Sequence, residues 1–123
     1  MIQAQRACWP ESARRGIMKT IIYHKLVRDR IPEIIEKDGK QCVCSILSEE
    51  DYIRLLDQKL DEELKEYQES KSMEELADLL EVIRSVALAR GSSIEEVEQI
   101  RTEKAEKRGS FDKRILLEKV VEV

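Results

Sequence analysis

The stretch Leu60–Ile83 reads LDEELKEYQESKSMEELADLLEVI. At roughly 100° per residue it resolves into two amphipathic helices. The first begins upstream, where Ser48 followed by Asp51 supplies an N-cap, and runs to about Glu69. The second opens at Ser72, which with Glu75 forms a Ser-x-x-Glu capping box, and closes at Gly91. Only Ser70 and Lys71 are left between them, a connection so short that the helices must fold back antiparallel. The expected fold is therefore all-α, a bundle built on this helical hairpin.

The same wheel exposes an anomaly. Tyr52, Ile53, Leu55, Leu56, Leu60, Leu64 and Tyr67 make one apolar stripe, yet Glu63 falls inside it and Glu66 at its edge. On the second helix the stripe is Leu76, Leu79, Leu80, Ile83, Val86 and Ala87, with Glu75 between Val82 and Val86 and Asp78 on the shoulder. Glu62, Glu74 and Glu81 face water. A carboxylate buried without a partner costs several kcal/mol. Four of them converging on one hairpin need counter-charge, and Lys59 alone cannot supply it. A divalent cation can, and Mg²⁺ suits oxygen ligands that also meet phosphates. Each pair, Glu63/Glu66 and Glu75/Asp78, is spaced to share a helix face. In a chain with 26 acidic residues either pair alone arises readily by chance, and Glu75 has a second job as capping-box partner. Their coincidence on facing helices carries the weight.

Outward from the hairpin, IPEIIEKDG has Pro32 at a helix start and Gly39 at its end. Ser93 with Glu96 starts a further helix that Gly109 should stop. KQCVCSIL and RILLEKVVEV are β-prone and are expected to pair as a small two-stranded ribbon.

Hydrophobic content of 41% with 39% charged residues fits a helix-rich soluble domain. The net charge of −4 argues against binding a nucleic-acid polymer, which needs a basic surface to displace counter-ions. Three cysteines, two as Cys42-x-Cys44, make neither a disulfide framework nor a zinc site, and reduced thiols are expected. No apolar run approaches the length of a membrane span, and the N-terminal residues lack a signal-peptide core, so a cytoplasmic location is expected. Residues 1–17, unpatterned and Arg-rich, read as a disordered extension, with a single domain over 18–123 starting at Met18.

The acidic pattern Glu62-Glu63-x-x-Glu66 followed by Glu75-x-x-Asp78 resembles the EExxE…ExxD signature of the all-α nucleoside triphosphate pyrophosphatase superfamily, the MazG-like and phosphoribosyl-ATP pyrophosphohydrolase-like enzymes. YHKLVRDRIPEII, EELADLLEVI and EKRGSF resemble its house-cleaning branch over about Tyr23 to Leu117. Ser110 stands where the pattern has a second glycine, and the gap from Glu66 to Glu75 is short.

The resemblance implies a Mg²⁺-dependent enzyme that splits a nucleoside triphosphate, canonical or not, into monophosphate and pyrophosphate. It matches Glu63, Glu66, Glu75 and Asp78 to the metal ligands and Glu62 to the first acidic position. Glu63 and Glu66 are the catalytic candidates. Lys25, Arg28, Arg30, Lys104 and Arg108 are candidates for phosphate binding, against the plainer reading of a solvated basic face. A homodimer or homotetramer is expected. Two rivals stand: a phosphoribosyl-ATP pyrophosphohydrolase of histidine biosynthesis, and a non-catalytic helical module that uses the stripes only to associate.

Overall fold

The computed structural model describes residues 19–123 together with the backbone of Ile2–Gln3. The proposed disordered extension, and Met18 as a start, lie outside the described residues apart from those two. In chain order the elements are β1 (Ile2–Gln3), α1 (Ile31–Lys37), β2 (Val43–Cys44), α2 (Glu49–Ser70), α3 (Met73–Ala89) and α4 (Ile94–Arg108).

Local chemistry sets the helix boundaries. Ser48, Ser72 and Ser93 each accept, through Oγ, the backbone N–H three residues on, at 3.2, 3.3 and 3.1 Å, satisfying a donor that has no partner inside its helix. Pro32 sits in the first turn of α1, where its missing N–H is harmless. α3 ends in a paired C-terminal lock. The Gly91 N–H donates to the Leu88 carbonyl and the Ser92 N–H to the Ala87 carbonyl, a geometry that requires φ of +83° at Gly91. α2 ends at Lys71, a non-glycine residue at φ 58°, whose N–H donates to the Tyr67 carbonyl at 2.7 Å and whose ammonium stands 5.6 Å from the Tyr67 ring centroid.

α2 and α3 pack side by side as the antiparallel hairpin, and α4 makes a smaller contact with α3. The mostly helical architecture agrees with the all-α expectation. Among the described residues Leu56, Val82 and Ala87 are the buried hydrophobic side chains, and Glu63 is buried as well. The apolar stripes are wider than the strip that two helices can cover. Leu64, Met73, Leu76, Leu80 and Leu88 remain exposed.

The ribbon forms differently from the expected pairing. Val43–Cys44 pairs antiparallel with Ile2–Gln3, in register Ile2 to Cys44 and Gln3 to Val43, and residues 115–123 form no strand. Their β-prone composition meets no packed face: Ile115, Leu116, Leu117, Val120 and Val121 are all exposed. Strand propensity chiefly reflects packing on a half-buried surface, and here there is none. Cys42 and Cys44 are free thiols. The Cys42 thiol donates to the Pro32 carbonyl at 3.8 Å, tying the strand to α1, and burial raises its pKa.

Candidate active site

Three carboxylates meet across the hairpin. One oxygen from each of Glu63, Glu66 and Glu75 lies within 4.8 Å of the others. α2 presents Glu63 and Glu66 one turn apart, and α3 brings Glu75 from the other side. Glu63 is 7% exposed, and its Oε2, like Oε2 of Glu75, is buried with no hydrogen-bond partner.

The capping of α3 leaves Glu75 available. In a complete capping box the Glu75 side chain would return to the Ser72 N–H. Here that N–H donates to Ser70 Oγ at 3.2 Å, while Ser72 Oγ accepts from the Glu75 N–H. The turn supplies its own acceptor, and the Glu75 carboxylate projects into the cluster.

Electrostatics follow from the geometry. Burial, and then the neighbouring Glu66 carboxylate, push the Glu63 pKa up to about 7, against a smaller lowering by Lys59. Desolvation, followed by the charge of Glu66, also raises Glu75. Lys59 Nζ lies 3.1 Å from Glu62 and 3.7 Å from Glu63. One ammonium shared by two carboxylates leaves the rest of the cluster uncompensated. A hard divalent cation fits this donor set: all oxygen, three ligands from two rigid helices, and unpartnered buried oxygens among them.

Beside the cluster is a cavity of about 250 Å³. Leu26, Val27, Arg28 and Asp29, from the segment before α1, form one wall. The other is made by α2 and α3, with Tyr52, Leu56, Lys59, Glu63, Asp78, Glu81, Val82 and Ser85. Glu63 is thus common to the cavity and the carboxylate group.

The other sequence-derived candidates divide. Asp78 lies in the cavity wall rather than within the group of three, and its Oδ1 accepts from Arg28 Nη2 at 2.6 Å. Glu62 is outside the group and pairs with Lys59. Of the five basic candidates, Arg28 alone lines the cavity. Lys25, Arg30, Lys104 and Arg108 are exposed and contribute nothing to its walls, having been chosen for charge without any constraint on position. Sequence reasoning passed over Lys59 as a ligand-facing cation and placed Glu81 in solvent, whereas both line the cavity. The signal for Lys59 was its i, i+4 spacing to Glu63, which fixes it on the same face.

Comparison with known proteins adds little. No family model matches the chain, and no solved structure matches it. The chain is 52% identical over 42 residues to an uncharacterized protein of Mycolicibacterium smegmatis, a match covering 34% of this chain and 43% of that protein. It thus spans less than half the length of that relative.

Proposed function

We propose that this protein is a Mg²⁺-dependent nucleoside triphosphate pyrophosphohydrolase, releasing pyrophosphate and a nucleoside monophosphate. The observation that carries the reading is the meeting of Glu63, Glu66 and Glu75 beside a cavity whose walls also carry the Arg28 and Lys59 side chains. Structural ion pairs do not explain it, because two buried carboxylate oxygens there lack any hydrogen-bond partner.

Glu63, Glu66 and Glu75 would hold the metal, with Asp78 adjacent. Held there, Mg²⁺ would supply polarisation of phosphoryl oxygens and a lowered pKa for coordinated water. Lys59 and Arg28 supply positive charge to the cavity wall for the phosphates. Leu26, Val27, Tyr52 and Val82 give it apolar lining beside these charged groups. Glu63 is common to the carboxylate group and the cavity, so its carboxylate would hold the metal and orient attacking water from the same side.

The exposed Leu64, Met73, Leu76 and Leu80 favour a homo-oligomer, since two helices leave these apolar side chains without a neighbour. Among the described residues no helix is long and apolar enough to cross a membrane. A location in the cytoplasm accords with the expected reduced cysteines.

Pyrophosphate release from a panel of canonical and damaged nucleoside triphosphates and phosphoribosyl-ATP, with and without Mg²⁺, tests the reading beside a Glu63→Ala control. Mg²⁺-dependent release abolished by the substitution supports it, and the preferred substrate separates house-cleaning from histidine biosynthesis. Absence of release, with Mg²⁺ leaving the melting temperature unmoved, would overturn it in favour of a non-catalytic module.

A further inference from the structure

Arg28 and Asp78 are 50 residues apart in the chain, yet their 2.6 Å ion pair joins the two walls of the cavity. Both side chains are substantially exposed, 57% and 40%. A solvent-exposed pair of this kind contributes little to folding, so little stability is lost when it is broken. Each member has a stronger use nearby. Asp78 lies one turn from Glu75 on α3 and lines the cavity together with Glu63, so its carboxylate stands beside the group of three without joining it. The Arg28 guanidinium lines the cavity and has the planar fork that meets a phosphate with two parallel hydrogen bonds.

Resting on the metal-site reading above, we infer that Arg28 is an exchangeable counter-ion: it occupies Asp78 until a divalent cation claims that carboxylate, and is then released to bind a phosphate group in the cavity. Since Arg28 cannot serve both partners, cation and phosphate bind with positive coupling. Each ligand alone must break the ion pair, whereas together they satisfy both of its halves, and linkage makes the effect reciprocal. A metal without its phosphorylated ligand is held weakly. With both ligands bound, the cavity wall from Leu26 to Asp29 exchanges its direct tie to α3 for one through the bound cation and phosphate.

The test is calorimetric titration of the full chain with Mg²⁺ alone, in chloride buffer without phosphate, for the wild type, R28Q, D78N and the double variant. The exchange expects R28Q to bind Mg²⁺ roughly three- to five-fold tighter than wild type, because Asp78 is freed, and D78N to bind it more weakly. In the D78N background R28Q should have no effect. At saturating Mg²⁺, inorganic phosphate should bind R28Q about ten-fold more weakly than wild type. Equal or weaker Mg²⁺ binding by R28Q with unchanged helical circular dichroism overturns the exchange while leaving the metal site standing. So does an equal gain in the D78N background, which would reveal only the removal of a repelling charge, and so does unchanged phosphate affinity. A wild type that binds no Mg²⁺ overturns both the exchange and the metal reading.

Discussion

Glu63 of α2 and Glu75 of α3 reach the same point from antiparallel helices, with the Glu66 carboxylate close to both, and each keeps a buried oxygen without a hydrogen-bond partner. Two like charges held this way are unfavourable for the folded chain by itself. Their removal should separate stability from activity.

The substitution Glu63→Gln should lower Mg²⁺-dependent pyrophosphate release by about 100-fold or more, because the metal group loses its most buried ligand. In the absence of metal at pH 8 the same variant should be more stable than wild type, by roughly 1–2 kcal/mol. Urea denaturation beside the activity assay reads both. A variant that loses activity and stability together would assign Glu63 a packing role.

A raised carboxylate pKa sets the sign of a pH dependence. With Glu63 near 7 folded and at the ordinary 4.5 unfolded, the native state binds the extra proton between those values. Stability from this group is therefore full below about pH 4.5 and falls as pH rises through 7, by up to roughly 3 kcal/mol. Comparing wild type with Glu63→Gln at pH 5 and pH 8 isolates the effect. Mg²⁺ needs the ionised carboxylate, so its stabilisation of wild type should be larger at pH 8 than at pH 6. A shift in melting temperature independent of pH would place the ion elsewhere.

How far the sequence foretold these relationships depends on their reach along the chain. The hairpin and its carboxylates were legible because capping serines, glycines and the helical period act over a few residues, from Ser72 to Glu75 or Gly91 to Leu88. Glu63 inside an apolar stripe is a statement about one helix, and the structure buries it. The Arg28–Asp78 pair was not legible, since no local rule fixes where the segment before α1 lies over α3. Lys104 and Arg108, picked for charge on α4, carried no information about distance from the cavity. The partner of β2 was likewise not legible: the β-prone C-terminal segment was the expected partner, and Ile2–Gln3, in a stretch without strand pattern, pairs with it instead.

The cap of α3 separates the two roles open to Glu75. Ser72→Ala should destabilise the protein by about 1 kcal/mol, measured by thermal or urea melting, with activity retained at temperatures where it stays folded. Glu75→Gln should keep the cap, whose acceptor is the Ser72 hydroxyl, and lose Mg²⁺ binding. If Glu75→Gln retained full Mg²⁺ affinity, the carboxylate group would not be the metal site.

The exposed apolar face predicts association. Leu80→Lys, at a side chain 57% exposed, should shift the protein toward smaller species in sedimentation velocity without loss of helical circular dichroism. A chain already monomeric at micromolar concentration, or a Leu80→Lys variant with unchanged mass, would direct attention to another surface.

The turn at Lys71 and Ser72 has a consequence for folding kinetics. It keeps the meeting of Glu66 and Glu75 a local event, closed by a very small loop, whereas sites gathered from remote segments wait for the slowest long-range contacts. A hairpin that forms ahead of the contacts of α4 and of the segment bearing Arg28 would bring the three carboxylates together early. Charge repulsion then acts on the first structured species as well as on the finished fold. A cation that relieves it should steepen the early collapse, so that Mg²⁺ accelerates refolding in addition to slowing unfolding.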